Sequence, residues 1–461
     1  MTRQRADDDE RVEVLVAGLD DQVVRGLLVE AAELHEDVLR TVRLAGAVDG
    51  DRLTLLKMAV DGSLRTRRHL DYWGSSAWAL DAAPVVDALA EEVTTAPSAE
   101  LVALLQRAVG HLVKVIRRAD DSNGMIGDLC SQVLELHRQA CAAGVADPKK
   151  LARWMVRFTF EDQDFFQIDP VAYIDALGEA GLAMYRNEVS ARSGPGEVPN
   201  RQTEDFHGES PSFAAQYAAQ RLAIIDRDID HLVELLGGDL SSPYQFQRVT
   251  EAMIELDEPE AALNWARRGI AETSDWRVAR LYDLAADLLT DAGDLDEVVE
   301  LRRHHHERTP SSSTYAKLQS AAATIDAWDA EVARARAVLA DGDPAGLIDV
   351  LLADGDHEEA WTVATTVDHD LAASQWLRLA ETREPSFPAD AMAVYLRLAD
   401  DVLVQADKRA YREAVRYLKA ARRVSTAAQR VPEFTEHLAG LRERNRRRPT
   451  FMAMLDKSGL S

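Results

Sequence analysis

Glu251-Ala-Met-Ile-Glu-Leu-Asp-Glu-Pro-Glu-Ala-Ala-Leu263 lines up with Asp287-Leu-Leu-Thr-Asp-Ala-Gly-Asp-Leu-Asp-Glu-Val-Val299, 36 residues further on. In each copy a helical pattern stops, a short acidic turn follows, and an apolar pair (Ala262-Leu263 or Val298-Val299) opens the next helix face. Leu352-Ala-Asp-Gly-Asp-His-Glu-Glu-Ala-Trp361 carries the same turn again, although not at a multiple of that offset. Paired helices recurring every 34 to 40 residues or so are the mark of a tetratricopeptide-like α-solenoid. The match is degenerate, because the usual Trp, Gly and Tyr positions are not kept.

Working outward, helical period holds along the chain. Leu101, Leu104, Leu105, Ala108, Leu112, Val115 and Ile116 fall on one face, while Gln106, Arg107, Lys114, Arg117 and Arg118 occupy the other. Pro97 and Ser98 supply the start signal for that helix. No strand pattern exceeds four residues. The expected fold is all-α, a helical-repeat array preceded by an N-terminal helical domain. One stretch departs from this texture. Arg192 to Pro211 holds three glycines and three prolines with almost no apolar residue, so it reads as a linker or long loop. The expected division is 1–191, 192–211 and 212–461.

The 461 residues are 46% hydrophobic and 29% charged, which is globular composition. Asp and Glu outnumber Lys and Arg by 79 to 53, for a net charge of −26. Such a chain repels nucleic acid and anionic membrane unless a local basic patch overrides the total. Two cysteines make no disulfide framework, which suits a reducing cytoplasm. The start of the chain is charged and lacks an apolar core, so it is not expected to be a signal peptide. Its longest early apolar run, Val14 to Leu19, is far too short to span a bilayer.

Several stretches carry a family likeness. Ala119-Asp-Asp-Ser-Asn-Gly-Met-Ile-Gly-Asp-Leu, Leu134-Glu-Leu-His-Arg-Gln-Ala-Cys, Arg68-His-Leu-Asp-Tyr-Trp and Asp175-Ala-Leu-Gly-Glu-Ala-Gly-Leu-Ala-Met-Tyr-Arg resemble an uncharacterised helical family of bacterial proteins. Leu240-Ser-Ser-Pro-Tyr, Tyr411-Arg-Glu-Ala-Val-Arg-Tyr-Leu and Arg446-Arg-Arg-Pro-Thr-Phe-Met-Ala-Met-Leu-Asp resemble the region downstream of the zinc finger in SWIM zinc-finger proteins. The likeness spans roughly residues 11–460 and rests on turns and helix faces. A SWIM finger needs Cys-x-Cys followed by Cys-x-His, because a closed zinc site takes four ligands. Cys130 and Cys141 form no such pair, so the resemblance implies the helical body without its finger.

Candidate chemistry is sparse. Cys130, His137 and Cys141 share one helix stripe, but the cysteines are ~16 Å apart along the axis, so core packing is expected rather than metal. Asp120-Asp121-Ser122-Asn123-Gly124 fails as a calcium loop, since Ala119 and Cys130 stand where the end ligands belong, and reads as an interhelical turn. His304-His305-His306 cannot converge on one ion from consecutive helix positions, and a surface location is expected. His35-Glu36 and His357-Glu358 lack the second His of a zinc-protease helix, with Leu39 and Trp361 in its place. Trp73, Trp78, Trp265, Trp276, Trp328, Trp361 and Trp376 are expected in the core. No catalytic site, cofactor or metal is expected.

Charge is uneven. Residues 402–461 carry 14 Lys and Arg against 6 Asp and Glu, net +8, so the first 401 residues carry −34. Arg442, Arg444, Arg446, Arg447 and Arg448 form the densest run, expected to be a docking surface for the chain's own acidic body or for an acidic partner. Phe451, Met452, Met454 and Leu455 follow as an apolar stripe, the pattern of a capping helix. The expected role is a non-enzymatic scaffold or adaptor that binds a protein, a basic one where it meets the acidic body. A nucleic-acid-associated regulator using the Arg-rich C-terminus is the second reading.

Overall fold

The structure is a computed structural model. It describes residues 16–460 apart from 36–37, 40–41, 43–48, 164, 194–212, 275 and 367–370. Among them every extended element is a helix, and the only β feature is an isolated bridge between Leu70 and Ala119. The all-α expectation holds.

The chain divides into two compact units, 1–239 and 240–461. The first contains α1 (Asp21–Leu34), α2 (Asp49–Ser63), α3 (Tyr72–Thr95), α4 (Ala99–Ile116), α5 (Met125–Ala142), α6 (Pro148–Arg157), α7 (Ile174–Ser193), α8 (Phe213–Asp226) and α9 (Ile229–Gly237). Its main core cluster runs from Leu56 to Ala218. The helix begun by Ser98 forms as expected: the Ser98 hydroxyl accepts from the Leu101 amide, and Leu101, Leu105, Ala108 and Leu112 are fully buried. The expected boundary at 192–211 needs correction. Arg192 and Ser193 close α7, the rest of that segment lies outside the described residues, and α8 belongs to the first unit. Arg221 of α8 makes a two-pronged pair with Asp169, Arg186 of α7 pairs with Asp226, and Ala218 enters the core. Those contacts carry the division to 239–240.

The second unit contains α10 (Pro243–Glu255), α11 (Pro259–Glu272), α12 (Val278–Ala292), α13 (Leu295–Arg308), α14 (Ser312–Thr324), α15 (Trp328–Gly342), α16 (Pro344–Asp354), α17 (His357–Thr366), α18 (Ala373–Arg383), α19 (Pro388–Val402), α20 (Lys408–Ala427), α21 (Val431–Arg444) and α22 (Pro449–Lys457). From α10 to α21 each helix packs on its sequence neighbour and in several cases on the next but one, and α22 packs on α20, as in a solenoid, where a repeat touches only adjacent repeats.

One turn is used over and over. At Asp257, Gly293, Asp326, Gly355 and Gln429 the backbone takes positive φ, and the next amide donates to the carbonyl five residues back. The bonds are Glu258 to Met253, Asp294 to Leu289, Ala327 to Ala322, Asp356 to Leu351 and Arg430 to Ser425, at 2.8 to 2.9 Å. This is the Schellman stop, which satisfies carbonyls that a helix end leaves open. In every case the following helix starts two residues after the left-handed one. The offset of 36 residues read from the sequence is the distance from Asp257 to Gly293, and the third copy is the stop at Gly355. The stop at Asp326 lies between them, and spacings of 33 residues (Gly293 to Asp326) and 29 residues (Asp326 to Gly355) put the third copy off the period. The same stop joins α8 to α9 at Arg227, in the first unit.

Candidate interaction surface

The Arg-rich run sits on α21 and the short link to α22, and most of it is occupied by its own chain. Arg442 donates to the Leu460 carbonyl and to Asp456, both at 2.7 Å, tying α21 to the end of the chain. Arg444 reaches Asp400 on α19 at 3.1 Å, and Arg446 pairs with Glu443 one turn away. Arg448 donates to the Leu403 carbonyl at 2.7 Å, with its guanidinium over the Tyr411 ring. Arg447 is exposed, and no partner is seen for it among the described residues. Phe451 and Leu455 are fully buried against α20, with Phe451 5.2 Å from the Tyr411 ring. The last helix closes the unit as a cap, and the arginines fasten it.

A change of Arg446, Arg447 and Arg448 together to Ala should therefore lower stability, mostly through Arg448. A charged donor on a carbonyl contributes about 1.5–3 kcal/mol, while an exposed pair such as Arg446–Glu443 adds little. Urea unfolding of the triple variant is expected to show a loss of about 2 kcal/mol, restored in a variant that keeps Arg448.

The opposite charge gathers at the repeated turns. Glu260 in α11, Asp296 and Glu297 in α13, Asp329 and Glu331 in α15, and Glu358 and Glu359 in α17 all lie in the first helical turn after a Schellman stop. Acids there complement the positive pole of the helix, so they have a local reason to exist. Some are tied to neighbouring hairpins: Arg267 holds Glu297, Arg303 grips Glu331 with two bonds at 2.8 and 2.9 Å, and Arg336 holds Asp354 and Asp356. Glu260, Asp291, Asp296 and Asp329 are exposed. The same turn of four successive hairpins is therefore acidic.

Within the histidine run the surface expectation holds for His304, which is exposed, and fails for the two histidines after it. His305 and His306 are 2% and 1% exposed, because α13 is packed by α12, α14 and α15. His305 stacks on Tyr282 at 4.1 Å, and His304 faces the Tyr282 hydroxyl at 2.8 Å. His306 lies 3.0 Å from both the Thr314 hydroxyl and the Ala335 carbonyl. Around them Arg302 and Lys317 converge on Asp283 at 2.7 Å each, and Arg308 donates to the Ile270 and Thr273 carbonyls. Residues 302–308 thus form a polar spine that joins successive hairpins. Burial, helped by Arg302 and Lys317, pulls the His305 imidazole down to about 4.

Cys130, His137 and Cys141 are fully buried, as core packing requires. His137 sits 2.9 Å from the Tyr173 hydroxyl and 3.1 Å from Gln106, and burial lowers it to about 3. Burial pushes both thiols up to about 12, so they are inert. The Asp120–Gly124 stretch is a turn, with Gly124 at φ 74° and Asp121 accepting from the Ile126 and Gly127 amides. Glu36 lies outside the described residues. His357 opens α17 as an exposed residue. Two tryptophans leave the core: Trp73 and Trp276 are 78% and 79% exposed. Among the described residues no group of three or more His, Cys, Asp or Glu could hold a metal, and no helix is long and apolar enough to cross a membrane.

The profile of a family of unknown function, DUF6880, matches residues 21–453. No curated protein matches the chain. Among solved structures, a circular tandem repeat protein with novel repeat topology and enhanced subunit contact surfaces is 14% identical. That comparison covers 94% of this chain and 97% of the other, with a TM-score of 0.19.

Proposed function

We propose that this chain, which belongs to the DUF6880 family of unknown function, is a non-catalytic helical-repeat scaffold whose acidic turns take a basic protein partner in the cytoplasm. The observation that carries this reading is the recurrence of one Schellman turn through the second unit, with acids at the start of each following helix. Helix-pair arrays offer extended surfaces to peptides and proteins. The charge of these turns steers encounter with a basic partner and discriminates against acidic ones.

A second reading assigns the Arg-rich C-terminus to nucleic acid, in keeping with the resemblance to SWIM zinc-finger proteins. The bonds that Arg442, Arg444, Arg446 and Arg448 make within the chain favour docking instead. Binding of labelled DNA and RNA at two salt concentrations separates the two. The scaffold reading expects Arg446, Arg447 and Arg448 changed to Ala to leave any nucleic-acid binding unchanged. Sub-micromolar binding that vanishes in the variant and weakens steeply with salt would promote the second reading.

A further inference from the structure

The isolated β-bridge of the first unit brings together charges that are far apart in sequence. Leu70 N donates to the Arg118 carbonyl at 3.1 Å, and Asp120 N donates to the Leu70 carbonyl at 2.8 Å. That pairing sets Leu70, at the end of the 65–70 stretch, alongside residues 118–120. Arg65, Arg67, Arg68 and His69 on one side, with Lys114, Arg117 and Arg118 on the other, are all exposed. The nearby carboxylates have other work. Asp61 is held by Arg107 at 2.6 Å and by His111 at 3.0 Å, and Asp71 accepts from the Gly74 amide. Asp120 takes the Ser122 amide and hydroxyl, and Asp121 caps α5. Arg65, Arg67, Arg68, Lys114 and Arg118 are thus exposed permanent cations, while Asp71, Asp120 and Asp121 accept from backbone amides or a neighbouring hydroxyl.

Aromatic rings stand beside this patch. Tyr72 and Trp73 open α3 directly after the bridge, 41% and 78% exposed, edge to face at 5.2 Å. The Ser75 hydroxyl, 2.8 Å from both the Tyr72 and Asp120 carbonyls, fastens that first turn to the loop bearing the cations. A large ring left in water, directly after the loop that bears the cations, adds little to the packing of the unit and offers a flat face to a ligand.

We infer that this surface, Arg65 to Trp73 with Lys114 to Arg118, binds single-stranded nucleic acid, a function separate from the scaffold role of the second unit. The arginines match phosphate oxygens, and Trp73 offers a stacking platform that a duplex, with its bases already stacked, cannot use. The net charge of −26 does not forbid this, because at physiological salt charges more than about 8 Å away are largely screened. An acidic peptide would meet the cations but would have no use for the ring.

The test is fluorescence anisotropy of the full chain with a labelled 15-nucleotide oligo-U, a duplex of equal length, and polyglutamate, at 50 and 200 mM salt. The single strand should bind most tightly and lose at least tenfold on raising the salt. Arg67, Arg68 and Arg118 changed together to Glu should weaken it at least tenfold, with the far-UV spectrum and melting temperature unchanged because these side chains are exposed. Trp73→Ala should cost roughly five- to fiftyfold for the single strand and nothing for polyglutamate. Failure of the oligonucleotide to bind, binding that survives the triple change, equal binding of duplex, or indifference to Trp73→Ala would each overturn the proposal.

Discussion

Lowering the pH from 7 to 4 should cost each half of this protein several kcal/mol, with one buried imidazole in each carrying much of the loss. His137 in the first unit and His305 in the second are held neutral, at about 3 and about 4, against an ordinary value near 6.5. The unfolded chain takes up these protons as the pH drops below that ordinary value, and the folded chain does not. Stability is therefore complete above about pH 7, falls as the pH falls from there, and levels only below the folded values. For His305 the loss by pH 4 is on the order of 3 kcal/mol. His305→Phe keeps the stack on Tyr282 and removes the titration, so urea unfolding at pH 7 and pH 4.5 should show a clearly smaller acid loss in the variant. An acid loss identical to that of the wild type would mean that His305 is not the group responsible.

The second large effect is expected at Gly269, where α11 passes α10 and α12 with no room for a side chain. A Cβ there would lie 2.6 Å from the Leu281 Cδ1 and Phe246 Cβ atoms, and Phe246 and Leu281 are themselves fully buried. Gly269→Ala should cost about 3 kcal/mol, because separating the three helices opens gaps elsewhere in the hairpin core. Gly110, inside α4, supplies the control. Nothing lies within 4 Å of a Cβ at that position, so Gly110→Ala should stabilise by about 0.5–1 kcal/mol. Denaturant melts of both variants check the pair, and a neutral Gly269→Ala would mean looser hairpin packing than described.

How much of this was legible depends on whether the cause is local. The cap at Ser98 and the turns at Asp257, Gly293 and Gly355 are set by a few adjacent residues, and they read correctly. Asp326 left no such signal because Ala327 and Trp328 follow it, where Glu258, Asp294 and Asp356 make the other three turns acidic, although its hydrogen bond is the same as theirs. His305 and His306 were misplaced for a different reason. Consecutive helical residues do diverge, but α13 is covered on several sides, so two divergent histidines find protein while His304 stays exposed. The domain boundary moved because Arg221 and Asp169 are 52 residues apart, and composition says nothing about such a pair. The basic patch depends likewise on a backbone pairing between Leu70 and residues 118–120. Trp73 and Trp276 show the limit of reading burial from residue type alone.

The central claim is that the repeated acidic turns form the surface for a basic partner, and a peptide titration tests it most directly. Calorimetry would compare an Arg-rich helical peptide with a charge-reversed one, on wild type and on a chain carrying Glu260→Gln, Asp291→Asn, Asp296→Asn and Asp329→Asn. These four side chains are exposed, and each contributes at most about 1 kcal/mol to its helix, so the variant should remain folded. Binding of the basic peptide is expected, weakened at least tenfold by the four changes and further by salt, while any binding of the charge-reversed peptide is left unweakened by them. Basic-peptide binding that is absent from wild type, or equal in the two chains, would contradict it.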